Sequence, residues 1–134
     1  MLSLINRYTF TLLVVLTLAG CASGPTEQDI ASADYGSVIH QDEAESQIKS
    51  YFNRSLKDPL SAQYTFSEVK KGYMIGNAFE GKPLYAGYVV MASVNAKNSY
   101  GGYTGAQSYH FLFQSGTLVR GLKVSPSGLA TPLF

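Results

Sequence analysis

A single cysteine, Cys21, excludes an intrachain disulfide, so any core this chain builds is held by packing alone. Long apolar runs are missing as well. The run from Tyr8 to Ala19 stops at the polar stretch Ser23-Gly24-Pro25-Thr26-Glu27, whereas a membrane-crossing helix needs roughly 18 or more apolar residues. The two histidines, His40 and His110, show no spacing with acids that suggests metal ligation, so no metal and no cofactor is expected. No glycine-rich stretch ends in the Gly-Lys-Ser/Thr of a phosphate loop, and no internal repeat is evident. Net charge is only +1, which by itself points to no class of partner.

What is present begins with Leu18-Ala19-Gly20-Cys21, preceded by Arg7 and the apolar run. A basic segment, a short apolar core and a small-residue cleavage site, in that order, make a secretory signal. The four residues resemble the lipobox of bacterial lipoproteins. That resemblance implies cleavage after residue 20 and a diacylglycerol on Cys21, which becomes an anchor rather than a nucleophile or ligand. Several acyl chains, at about 0.8 kcal/mol per buried methylene, make such attachment effectively permanent. Ala22 and Ser23 follow in place of the aspartate that retains many lipoproteins at the inner membrane. In a Gram-negative host this implies the periplasmic face of the outer membrane.

Residues 21–134 suffice for one domain and are too few for two separate cores. Charge is distributed unevenly over them. Six acids and no Lys or Arg lie between Ala22 and Glu45, whereas nine bases and three acids follow from Ser46. The bases are scattered, which suits an ordinary solvated surface better than an anion-binding patch. Nucleic acid is not an expected partner, because no recognition motif accompanies the charge. Residues 21–41, rich in Ala, Ser, Gly and acids, read as a lipidated cysteine on a flexible acidic tether, with Val38 and Ile39 able to pack on a domain at 42–134.

In that domain Ala44, Ile48, Tyr51, Phe52 and Leu56 recur at intervals of three and four, predicting a helix over about 43–57. Asp42 with Glu45 resembles a capping box, and Asp58-Pro59 supplies the stop. Beyond Pro59 the period becomes two. Tyr64 to Phe66, Tyr73 to Phe79, Leu84 to Val94, Tyr109 to Gln114 and Thr117 to Val124 read as strands, the longest central and covered on both faces. In the last, Leu118, Leu122 and Val124 alternate with Val119, Gly121 and Lys123. Ser115-Gly116 suits a tight hairpin. The expected fold is α+β: one amphipathic helix on a four- or five-stranded antiparallel sheet.

Asn95 to Gly105, Asn-Ala-Lys-Asn-Ser-Tyr-Gly-Gly-Tyr-Thr-Gly, reads as a connection longer than a hairpin needs. Together with Leu56 to Tyr64, Leu-Lys-Asp-Pro-Leu-Ser-Ala-Gln-Tyr, it resembles a pattern found in a family of small exported or lipid-anchored bacterial proteins, some phage-associated. The resemblance spans roughly residues 43–120. It brings no activity and no catalytic residues, and the pattern often has an acid where this chain has Leu60.

Physically, the Gly-Tyr segment offers aromatic faces and amides beside a lysine, a combination suited to stacking on sugar rings or entering a partner's cleft. Lys97, Asn98, Tyr100, Tyr103 and Thr104 are the candidate binding residues. The competing expectation is structural, with Gly101, Gly102 and Gly105 supplying turns and the tyrosines packing back on the sheet.

The functional expectation is a noncatalytic, lipid-anchored module that contacts an envelope protein or a cell-wall glycan. An inhibitor or phage-exclusion factor that inserts the loop into a hydrolase or receptor is the alternative. A weak cell-wall hydrolase using Asp58, Glu68 or Glu80 is the third.

Overall fold

The computed structural model describes residues 24–134; the expected signal segment and the expected lipidation site, Cys21, lie outside the described residues. The elements are α1 (Glu27–Ser32), α2 (Gln41–Ser55), β1 (Asp58–Phe66), β2 (Lys70–Ile75), β3 (Leu84–Lys97), β4 (Gln107–Gln114), β5 (Thr117–Val124) and β6 (Ala130–Pro132). A 3-10 turn, Ala78–Glu80, lies between β2 and β3. The architecture is α+β, one main helix on an antiparallel sheet. The sheet has six strands, because the chain turns back after Ser125-Pro126-Ser127-Gly128 and adds β6 beside β5.

Helix α2 buries Ala44, Ile48 and Phe52, the stripe its periodicity predicts. These meet Val90, Ala92 and Val94 of β3 and Tyr109, Phe111 and Phe113 of β4 to form the core. Phe52 is its hub, with ring centroids 4.9 Å from Tyr109 and 5.8 Å from Phe111. Both contacts are edge-on, the arrangement that aromatic quadrupoles favour.

The helix starts two residues earlier than expected and is not closed by an Asp42–Glu45 box. His40 is its N-cap and makes no side-chain capping bond. Asp42 therefore sits inside the first turn, where its charge still complements the helix dipole. Gln41 is drawn into that turn by partners outside the helix. Its amide nitrogen donates to the Ser67 carbonyl at 3.0 Å, and its oxygen accepts from the Val69 N–H at 2.8 Å. Gln47 repeats the pattern at the other side of the sheet, with the Gly116 carbonyl at 2.8 Å and the Leu118 N–H at 3.0 Å. Two glutamines thus fasten the helix to sheet backbone.

Strand β3 is central. It pairs with β4 on one side, and with β2 and then β1, end to end, on the other. Its front face is covered by α2. Its back face is not fully covered: Met91 is 51% exposed. This narrows the two-sided expectation: the short helix α1 does pack on β3, but Met91 stays in solvent. Only the start of β3 is covered behind, where Ala33 and Asp34 approach Leu84, Tyr85 and Leu112.

Three further departures come from tertiary context. The run at Tyr73 ends as a strand at Ile75, because Asn77 and Glu80 close a reciprocal capping box around a 3-10 turn. Asn95–Lys97 belong to β3 rather than to a loop, being paired with β1. The period of two in β5 breaks at a register shift opposite Leu112 and Phe113. Leu118, paired with Phe113, therefore packs on the core, whereas Leu122 pairs with His110 on the back.

Packing begins before residue 42. Ile39 is buried in the core, and the Tyr35 hydroxyl donates to the Ile30 carbonyl at 2.9 Å. Gln114 donates to the Asp34 carbonyl at 3.1 Å, which brings this segment past the β4–β5 turn. Residues 33–40 therefore pass from the back of the sheet around its end to α2.

Candidate functional site

Both sequence motifs meet at one corner of the sheet, where β1 begins and β3 ends. Asp58 stands opposite Lys97 in the ladder, and the register then shifts before Gln63. The bulge accommodates Pro59, which has no amide hydrogen to donate. Ser61 repairs the ladder within it. Its hydroxyl donates to the Asp58 carbonyl at 2.8 Å and accepts from the Lys97 N–H at 2.9 Å.

Past Lys97 the chain is ordered by Asn98. The Asn98 side-chain oxygen accepts from the Tyr100 N–H at 2.9 Å and the Gly102 N–H at 3.1 Å. The Asn98 N–H donates to the Gly102 carbonyl at 2.8 Å, closing a tight turn in which Gly101 takes a positive φ. Thr104 then rejoins the ladder through its N–H and hydroxyl, both 3.3 Å from the Ala96 carbonyl.

The two tyrosines have different fates. Tyr103 is half-exposed, its hydroxyl donating to the Ser61 carbonyl at 3.2 Å and its ring 5.4 Å from the Lys97 ammonium. It lies back on the protein, as the structural expectation held. Tyr100 does not: it is 96% exposed at the turn's apex. Leu60, in the bulge beside Ser61, is 98% exposed. The candidate set Lys97, Asn98, Tyr100, Tyr103 and Thr104 thus divides into one projecting ring and four residues that brace it.

Leu60 was not among the residues singled out, although the motif around it was. The signal was available in the Pro-Leu-Ser sequence: a proline inside a strand implies a bulge, and a bulge turns a neighbouring side chain outward.

The acids proposed for hydrolysis are not brought together. Asp58 lies at the β3 C-terminal end, Glu68 in the β1–β2 connection, whose Ser67 bonds mid-strand Met91, and Glu80 in the connection leading to the β3 N-terminal end. Glu80 is held by Arg120 at 2.9 Å and caps Asn77. Among the described residues no group of three or more His, Cys, Asp or Glu forms a metal-binding cluster. An open groove of about 520 Å³ lies between α2 and the C-terminus, lined by Gln47, Ser50, Tyr51, Arg54, Leu118 and Phe134. Its one charged group, Arg54, has no acid beside it within that lining.

The bases are dispersed over separate aromatic rings. Lys49 lies 5.3 Å from the Phe66 centroid, Lys71 4.1 Å from Tyr35 and Arg120 4.3 Å from Tyr85. No helix among the described residues is long and apolar enough to cross a membrane. Compared with protein-family models, curated proteins and solved structures, the chain matches none.

Proposed function

We propose that this chain is a noncatalytic lipoprotein, anchored through Cys21 to the periplasmic face of the outer membrane, that binds an envelope protein or cell-wall glycan through the Leu60–Tyr100 corner. The observation that carries the binding reading is the corner itself: two large apolar side chains held in solvent on a hydrogen-bonded frame. Large apolar groups presented on a rigid support suit a contact surface, because little conformational entropy remains to be lost on binding. The anchor reading is supported by Leu18-Ala19-Gly20-Cys21 behind a short apolar run.

The test is in-cell crosslinking with a photoreactive residue at Tyr100 in the lipidated protein, with the same residue at exposed Leu129 as control. One dominant envelope component captured from position 100 and not from 129 is the expected result. Capture of lipid and self alone from both positions overturns it. For the anchor, Cys21→Ser should abolish incorporation of labelled palmitate and release the protein from membranes.

A further inference from the structure

The two ends of β3 differ in what they expose and in how far they lie from Cys21. Gly24 sits at the N-terminal end: a side chain there would meet Lys82, in the connection between β2 and β3, at 3.9 Å. From Gly24 back to Cys21 is three residues, a reach of about 11 Å at most. The same connection carries Phe79, fully exposed at the crest of its 3-10 turn, with Ile75 half-exposed at the end of β2.

Nothing within the fold requires a phenylalanine at that crest. The turn is held by other groups, through Asn77 and Glu80 bonded reciprocally at 2.9 and 3.1 Å, and through the Arg120 guanidinium on Glu80. It is a braced platform with an apolar side chain on top.

We infer that Phe79, with Ile75 beside it, enters the lipid surface next to the acyl anchor, so that the domain stands on its β2–β3 connection with the Leu60–Tyr100 corner facing away from the membrane. This rests on the lipid anchor proposed above. An apolar ring on a polar support can bury itself at the boundary of headgroups and acyl chains, as the Trp, Phe and Leu side chains of surface-lying helices do. Around this end Asp34 lies against Leu84, Glu27 and Asp29 follow Gly24 closely in sequence, and Glu80 is paired with Arg120, so Lys82 leaves no excess of positive charge and attraction to anionic lipid is not the driving term. Burial of apolar surface is, and added salt should leave the contact in place.

The geometric consequence concerns the other end. Strand β3 runs fourteen residues, from Leu84 to Lys97. At the usual rise per residue its ends are about 40 Å apart. With one end on the lipid, the corner is carried outward by the length of the sheet. No flexible spacer is needed to present it.

The experiment uses the full lipidated chain in vesicles of phosphatidylethanolamine and phosphatidylglycerol. Because lipidation consumes the Cys21 thiol, Phe79→Cys, Tyr100→Cys and Leu129→Cys each offer one thiol for an environment-sensitive dye. All three positions are solvent-exposed in the protein, so the dye's own affinity for lipid is common to them. The expected result is a blue shift and several-fold weaker quenching by aqueous iodide at position 79 alone, unchanged at raised salt. Equal quenching at all three positions, with the protein still floating on vesicles, overturns the orientation and leaves the anchor standing. Two dyes per chain and failure to float show a free Cys21 thiol and overturn both.

Discussion

Tyr64 is one of the residues whose environment departs from what its type prefers. Its hydroxyl is buried without a hydrogen-bond partner, while its ring stacks on Phe66 with centroids 5.7 Å apart. Burial pushes its phenol above the ordinary value of 10.0, and burial first, then the neighbouring Tyr51, does the same to Tyr109. A raised folded-state value means that the folded protein holds these protons more tightly than the unfolded chain. Their contribution is complete below the ordinary value and is lost as pH climbs through the raised one. Stability should therefore fall in alkali, and Tyr64→Phe should flatten that fall. At neutral pH the same substitution removes an unsatisfied hydroxyl and should be neutral or stabilising by about 1 kcal/mol. Urea unfolding at neutral and alkaline pH checks both; a variant that loses stability as steeply as the parent would contradict the account.

At the level of elements, the attachment of helix to sheet depends on more than its apolar stripe. Gln41 and Gln47 each bind one carbonyl and the N–H two residues further on, the way a neighbouring strand would. Gln47→Leu keeps the side-chain volume but leaves the Gly116 carbonyl and Leu118 N–H unpaired. It should cost about 2 kcal/mol, read as a shift of the urea midpoint with unchanged slope. The Gly-Tyr turn depends on one side chain in a comparable way. Asn98→Ala deletes the acceptor for Tyr100 and Gly102, so exchange at those amides should accelerate while global stability falls by about 1 kcal/mol. If exchange there is unchanged, Asn98 is not what orders the loop. Both glutamines escape a reading by periodicity, which scores them only as polar. Their partners lie 26 to 71 residues away in sequence.

For the whole molecule, the sheet edges decide whether copies associate. An open edge invites strand addition from another chain. Here β6 is three residues long and ends in Pro132, β1 carries Pro59 and a bulge, and β2 begins with Lys70 and Lys71. Proline, irregularity and charge each hinder further pairing. Residues 24–134, produced without the N-terminal segment, should sediment as a monomer over the usual working concentrations. A dimer would mean that one of these edges, or the Leu60–Tyr100 corner, accepts a second copy. Directionality belongs to this scale too: the corner with exposed Leu60 and Tyr100 and the turn with exposed Phe79 lie at opposite ends of β3.

Local pattern alone determined the class of fold and most of its parts. The stripe Ala44–Ile48–Phe52 announced a helix with one buried face, and the change to a period of two beyond Pro59 announced a sheet. Ser115-Gly116 announced the β4–β5 hairpin, and both its residues do take left-handed φ. The Gly-Tyr segment was recognisable as a candidate site from composition and length. Tertiary structure decided what depends on partners distant in sequence. It moved the start of α2 to Gln41, because Ser67 and Val69 hold that side chain. Asn95–Lys97 joined β3 because β1 pairs with them, and Tyr103 was bound down to Ser61 while Tyr100 stayed in solvent. Periodicity registers which residues share a face of their own element; it carries no information about which backbone group, forty residues away, waits opposite a given side chain.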